Sequence, residues 1–171
     1  NKTIEALKLN YSFCYHNNGM IFGLSTQMDT VHCFDINGVI KKKWYLAQDQ
    51  IKSLNISRLT CGLYYNVGYY DEQKGLLYLD NCFDPITGSV NSFYTFNHFI
   101  AIDLSKDIAQ IAVPFGKFPD SYTRQQYQGF SCSDKNIAFY NGKMFINFYA
   151  SDSIYQYDQN NYKQKGYYAF N

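Results

Sequence analysis

Histidine, cysteine and aspartate crowd together once in this chain, in the stretch DTVHCFDING at residues 29–38, where His32 stands beside Cys33 between Asp29 and Asp35. A Cys–His pair is the material of nucleophilic catalysis, and His with carboxylates that of general acid–base chemistry. The spacing defeats the first use, because adjacent residues of a strand point to opposite faces and His32 cannot serve Cys33 as a base. The other histidines, His16 and His98, are remote in sequence; His32 reads as a satisfied core histidine and His98 as a loop residue within reach of a ligand. No G-x-S-x-G elbow, phosphate-cradling glycine loop, H-E-x-x-H pair or EF-hand loop is present. The 5 cysteines, at positions 14, 33, 61, 82 and 132, have no C-x-x-C spacing and an odd count, so neither a zinc site nor a complete disulfide framework is signalled. They read as small buried hydrophobes, with a Cys14–Cys33 bridge left open. No metal or cofactor is implied.

Two irregular segments carry the remaining polar chemistry. FDPITGSVNSFYTFNH, residues 83–98, contains Tyr94 and His98; GKFPDSYTRQQYQGF, residues 116–130, contains Asp120, Tyr122, Arg124 and Tyr127. Aromatic rings beside Asp, Arg and Gln suit a ligand with both apolar faces and hydroxyls, such as a sugar, because the ring stacks while the polar groups hydrogen-bond. These six residues are the candidate ligand-binding set, set against the plainer reading that the rings plug loops onto neighbouring elements. A short helical turn in SYTRQQYQ would place Tyr122 beside Gln126 and Thr123 beside Tyr127.

The elements that must position these residues are strands. The chain of 171 residues has 18 Tyr and 14 Phe against 3 Pro, with many Asn, a composition of strands joined by turns. Residues 19–43 align without a gap to residues 142–166: Gly19 with Gly142, Phe22 with Phe145, Asp29 with Asp152, Asp35 with Asp158, Asn37 with Asn160 and Lys42 with Lys165. A degenerate copy lies between them, GLLYLDNC at 75–82 and FIAIDLSKDIAQIAV at 99–113, with its aspartate at Asp103. The period is about 61 residues, and each unit reads as four short strands separated by Asn/Gly turns. Because Asp29 and Asp152 open a strand and Asp35, Asp103 and Asp158 close one, the five are expected to form turns, a catalytic group being needed once and not in every unit. Alternation puts Val31 and Cys33 on one face and His32, Phe34 and Ile36 on the other, both largely apolar. Four-stranded antiparallel units buried on both faces are β-propeller blades; an immunoglobulin-like sandwich is the alternative. The expected fold is all-β, a single propeller segment over 1–171 with blades near 5–46, 58–115 and 128–171.

DTVHCFDINGVI, DSIYQYDQNNYK and the exit VPFGKFPDSY at 113–122 resemble the six-bladed, TolB-like propellers, and the texture is similar to propeller families of Bacteroidetes cell-surface lipoproteins. That resemblance implies export, a lipid-anchored precursor and ligand or polysaccharide handling at the cell surface. The tryptophan–aspartate signature of WD40 blades is absent, Trp44 being followed by Tyr45. Three blades do not close a ring, so the expected partners are further blades, from a longer chain or a second copy. The Asn at position 1 in place of Met favours the longer chain.

A net charge of +1, from 15 basic and 14 acidic residues, gives no footprint for nucleic acid or anionic lipid. No apolar run is long enough to span a membrane. Asn1, Asn10 and Asn55 begin N-x-[ST] sequons, which an Asn-rich chain produces by chance. Three functional readings follow: a non-catalytic module binding glycan or protein; a carbohydrate-active hydrolase or lyase using Asp80, Asp84, Asp120 or His98; and a structural half-propeller with no site of its own.

Overall fold

The computed structural model describes residues 11–16, 18–25, 27–54, 56, 58–60, 68–82, 96–118, 135–148 and 151–170. The first unit is an antiparallel meander of β1 (Tyr11–Tyr15), β2 (Ile21–Ser25), β3 (Thr30–Phe34) and β4 (Ile40–Leu46). The helix α1 (Gln48–Ser53) leads to the middle unit: β5 (Arg58–Thr60), β6 (Tyr69–Asp71), β7 (Leu76–Cys82), β8 (Phe99–Asp103) and β9 (Ile108–Phe115). Here β5 and β6 lie along the same edge of β7, opposite Asp80–Cys82 and Leu76–Tyr78 respectively, so the first strand of this unit is split in two. The third unit is a separate meander of β10 (Lys135–Tyr140), β11 (Lys143–Phe148), β12 (Ser153–Tyr157) and β13 (Gln164–Ala169). A two-residue parallel pairing, Tyr45 with Ile108 and Leu46 with Ala109, joins β4 to β9.

The turn aspartates do what their recurrence predicts. At the end of the third strand of each unit the carboxylate accepts the N–H two residues on, closing an Asx turn: Asp35 with Asn37 at 2.9 Å, Asp103 with Ser105 at 2.9 Å and Asp158 with Asn160 at 2.7 Å. At the start of that strand Asp29 and Asp152 each accept the hydroxyl of the next residue, Thr30 or Ser153, at 3.1 Å. Their carbonyls receive the N–H of Leu46 and of Phe170, both at 2.8 Å, which ties the fourth strand back to the opening turn. Lys41 Nζ pairs with Asp35 at 3.0 Å and Lys165 Nζ with Asp158 at 2.6 Å. The structural counterpart of Lys165 is therefore Lys41, and not the Lys42 of the gapless alignment. Asp35 N–H donates to Val39 but Asp158 N–H to Lys163, so the later turn is one residue longer. Ile36, assigned to a strand face by alternation, lies instead in the exposed turn.

Packing is in series. Val31 and Cys33 of β3, Phe22 and Leu24 of β2, and Trp44 and Leu46 of β4 share one core with Leu77, Leu79, Ile100, Ile102 and Ile111 of the middle unit. The alternate residues of that middle unit, Tyr78, Phe99, Ala101 and Phe115, share a second core with Met144, Ile146, Phe148, Tyr155 and Tyr157. Thus β8 buries both faces, Phe99, Ile100, Ala101 and Ile102 being fully buried, as its unbroken apolar run requires. α1 adds Ile51 to the first core, and its Gln50 side chain accepts the Ile111 N–H at 2.8 Å. Four-stranded antiparallel units stacked face to face in this order are β-propeller blades.

Candidate functional site

The described ends of the two irregular segments meet at one place. Asn97, closing the first, and Gly116, Lys117 and Phe118, opening the second, line a groove of about 500 Å³ along the seam between β9 and the β12–β13 hairpin. Among the described residues six rings line it: Phe115, Phe118, Tyr155, Tyr157, Tyr162 and Tyr167. Phe115 and Phe118 are buried and form its floor, with Tyr162 stacked on Phe115 at a centroid distance of 5.0 Å. Tyr167 projects from the rim, 64% exposed, with its ring 6.2 Å from that of Tyr155. Among the described residues of the lining, Asn97, Asn161 and Gln164 supply amides and Lys117 is the one charged residue.

Gly116 allows the floor to form. Its φ of +74° lies in the left-handed region, and a Cβ there would meet Phe99 Cδ2 at 2.7 Å and Ile146 Cδ1 at 3.2 Å. Its carbonyl accepts the His98 N–H at 3.1 Å, which pins the second segment to the end of the first. Burial pushes the Tyr157 phenol up to about 12, and burial raises Tyr162 as well, so both hydroxyls stay protonated and neutral. The described lining therefore offers aromatic faces, neutral hydroxyls, amides and the Lys117 cation. Such a set can stack on and hydrogen-bond a neutral polar ligand.

Of the six candidate residues, His98 is described, and it is buried in a cage of rings. It is 1% exposed, 4.2 Å from the Phe118 centroid and 5.5 Å from that of Phe96. It supports the groove through Phe118 and does not face it. Tyr94, Asp120, Tyr122, Arg124 and Tyr127 lie outside the described residues, as do Asp84, the short helical turn in SYTRQQYQ and the asparagines of all three sequons. Asp80 is 1% exposed on β7, opposite Phe99. Neither Asp80 nor His98 presents a surface to a substrate.

DTVHCFDING is scaffold. Cys33 lies in the first core while His32 faces away from it, opposite Lys43 on β4. Burial lowers the His32 pKa, with Lys43 acting in the same direction, and burial raises the Cys33 thiol. Cys33 is free, so the Cys14–Cys33 bridge is not formed. Among the described residues no cluster of His, Cys, Asp or Glu is placed to hold a metal, and no helix is long and apolar enough to cross a membrane. Tyr155, Tyr157 and Tyr167 carry no motif spacing; the density of tyrosine in YQYDQNNYKQKGYY is the signal that marks them.

Blades, turns and groove together define a segment of β-propeller scaffold. Among solved structures, the chain is similar to the β-propeller domain of Cps50 (Swd1) from Myceliophteria thermophila, with a TM-score of 0.46 and 11% identity over 96% of this chain. The chain spans 42% of that domain's length. No protein-family model and no curated protein matches the sequence. The fold assignment rests on the strand order, register and two cores described above.

Proposed function

We propose that this chain is a non-catalytic binding module built on part of a β-propeller, and that the seam groove holds a glycan. The observation that carries the reading is the groove itself: among the described residues, six rings, three amides and one cation around about 500 Å³. A pyranose has an apolar face for a ring and equatorial hydroxyls for amides, whereas a nucleic acid or an acidic polymer requires more positive charge. Loops on a rigid propeller are the usual seat of such sites, and Asp120, Tyr122, Arg124 and Tyr127 follow Phe118 directly in sequence. The hydrolase or lyase reading is weakened because two of its four candidate groups, Asp80 and His98, are sealed in the core. The resemblance of DTVHCFDINGVI and DSIYQYDQNNYK to six-bladed, TolB-like propellers supports reading these blades as half of such a ring at the cell surface.

The test is titration with a panel of soluble oligosaccharides, followed by calorimetry and by product analysis. Tyr167 is on the rim, so Tyr167→Ala leaves the fold intact and is expected to weaken binding about tenfold, the equivalent of about 1.4 kcal/mol. Tyr122→Ala and Arg124→Ala test the adjoining segment in the same assay. Binding unchanged in all three removes the site, and turnover of any oligosaccharide replaces the binding module with an enzyme.

A further inference from the structure

The blades repeat their faces as well as their turns. Cross-strand pairing sets Phe22 against Cys33, Tyr78 against Ala101 and Phe145 against Gln156 in the three units. The next pairing sets Val31 against Trp44, Phe99 against Phe115 and Ile154 against Tyr168, each time with an aromatic residue on the fourth strand. In the first unit this face is buried on the middle unit, and in the middle unit it is buried on the third. Trp44 and Phe115 are accordingly 4% and 3% exposed. In the third unit Phe145 and Ile154 are half-buried and Tyr168 is 51% exposed.

We propose that the face formed by Phe145, Ile154, Gln156 and Tyr168 is the seat of a further four-stranded blade. That blade presents to it an apolar surface of the kind the middle unit presents to the first, where Leu77, Leu79, Ile100 and Ile102 do the packing. Continuity with two interfaces inside the chain identifies the occupant, because each is head-to-tail: the same face of one unit covers the opposite face of the next. A second copy of the chain does not supply the missing surface. The matching residues of its first unit, His32 and Phe34, are already buried, at 7% and 2% exposure. Phe145, Ile154, Gln156 and Tyr168 are themselves uncharged, and Tyr168 OH donates to Gln156 Oε1 at 3.1 Å across the face. The inference rests on the blade packing and is independent of the groove.

The probe is the full chain extended after residue 171, through a flexible linker, by a second copy of its own residues 58–115, which carry the surface known to seat on such a face. A thiol reporter is placed by Tyr168→Cys, and its alkylation is followed by peptide mass spectrometry. Seating is expected to slow alkylation at least about tenfold relative to the unextended chain, with the rate restored by Ile154→Glu. Equal rates in the two chains overturn the proposal. A second measurement, light scattering of the unextended chain, guards against an appended unit that does not fold. The expected result is the same mass with and without Tyr168→Glu; a dimer that dissociates on this substitution assigns the face to a second copy and overturns the proposal.

Discussion

Phe22 and Phe145 occupy the same place in their units, yet their loss is expected to differ severalfold in free energy. Phe22 is 1% exposed, with its ring 4.5 Å from that of Tyr70 and 6.4 Å from that of Trp44. Removing it costs both the transfer of the ring and a closed cavity between two blades, so Phe22→Ala is expected to destabilise by about 3–5 kcal/mol. Phe145 is half-buried on the open face of the third blade, so Phe145→Ala loses roughly half of a transfer term of about 1.5–3 kcal/mol and leaves no enclosed void. The difference is about 2–3 kcal/mol, which moves a urea midpoint by about 1 M. Trp44 is the single tryptophan, and its indole N–H donates to the Leu104 carbonyl at 2.9 Å across the first blade interface. Its fluorescence reports that interface, and circular dichroism reports the strands as a whole. Equal losses for the two substitutions, or a loss below about 1 kcal/mol for Phe22→Ala, would refute the serial packing from which the difference is derived.

Three further outcomes are expected. Gly116→Ala forces a side chain onto Phe99 and into a left-handed φ, and a loss of about 2–4 kcal/mol in thermal unfolding is expected, with glycan affinity falling alongside. His32 has a lowered pKa in the folded chain, so the unfolded state takes up the proton first and stability falls as the pH drops below about 6.5. Urea midpoints at pH 7.5 and 5.5 check this, and the drop is expected to shrink in His32→Gln. Asp29, Asp35 and Asp158 are also held below the usual carboxylate range, first by the Ser25 hydroxyl, the Val39 N–H and Lys165 respectively. Their stabilisation is present above about pH 4 and is lost as the pH falls through their folded values, so Asp35→Asn with Asp158→Asn is expected to flatten the acid limb of the stability curve.

The repeat made the blades and their turns legible, because an Asx turn needs one residue type at one place and an apolar run buried on both faces has few other homes. Other features left weaker traces. α1 is only six residues, QDQIKS, and buries Ile51 alone, so no helical stripe was there to read. The split of the first strand of the middle unit into β5 and β6 has no periodic mark at all. Lys41 was hidden by the one-residue difference between two turns, which a gapless alignment smooths over. The groove was half legible: the irregular segments contain Asn97 and Phe118, though neither was among the six candidates, and Tyr155, Tyr157 and Tyr167 lie inside the repeat, where recurrence argues for scaffold. Tyr155 and Tyr157 stand at the places of His32 and Phe34, so one position packs a core in one blade and lines a groove in another.

The central claim, that the middle blade is clasped on opposite faces by different neighbours, is tested most directly by nuclear Overhauser effects from selectively labelled methyl groups of β8. Ile100 and Ile102 are predicted to show contacts to the first unit, to residues such as Val31 and Leu24, and Ala101 to the third, to Met144 and Ile146. Contacts from Ala101 to the first unit, or from Ile100 and Ala101 to the same neighbour, would contradict the stacked-blade account.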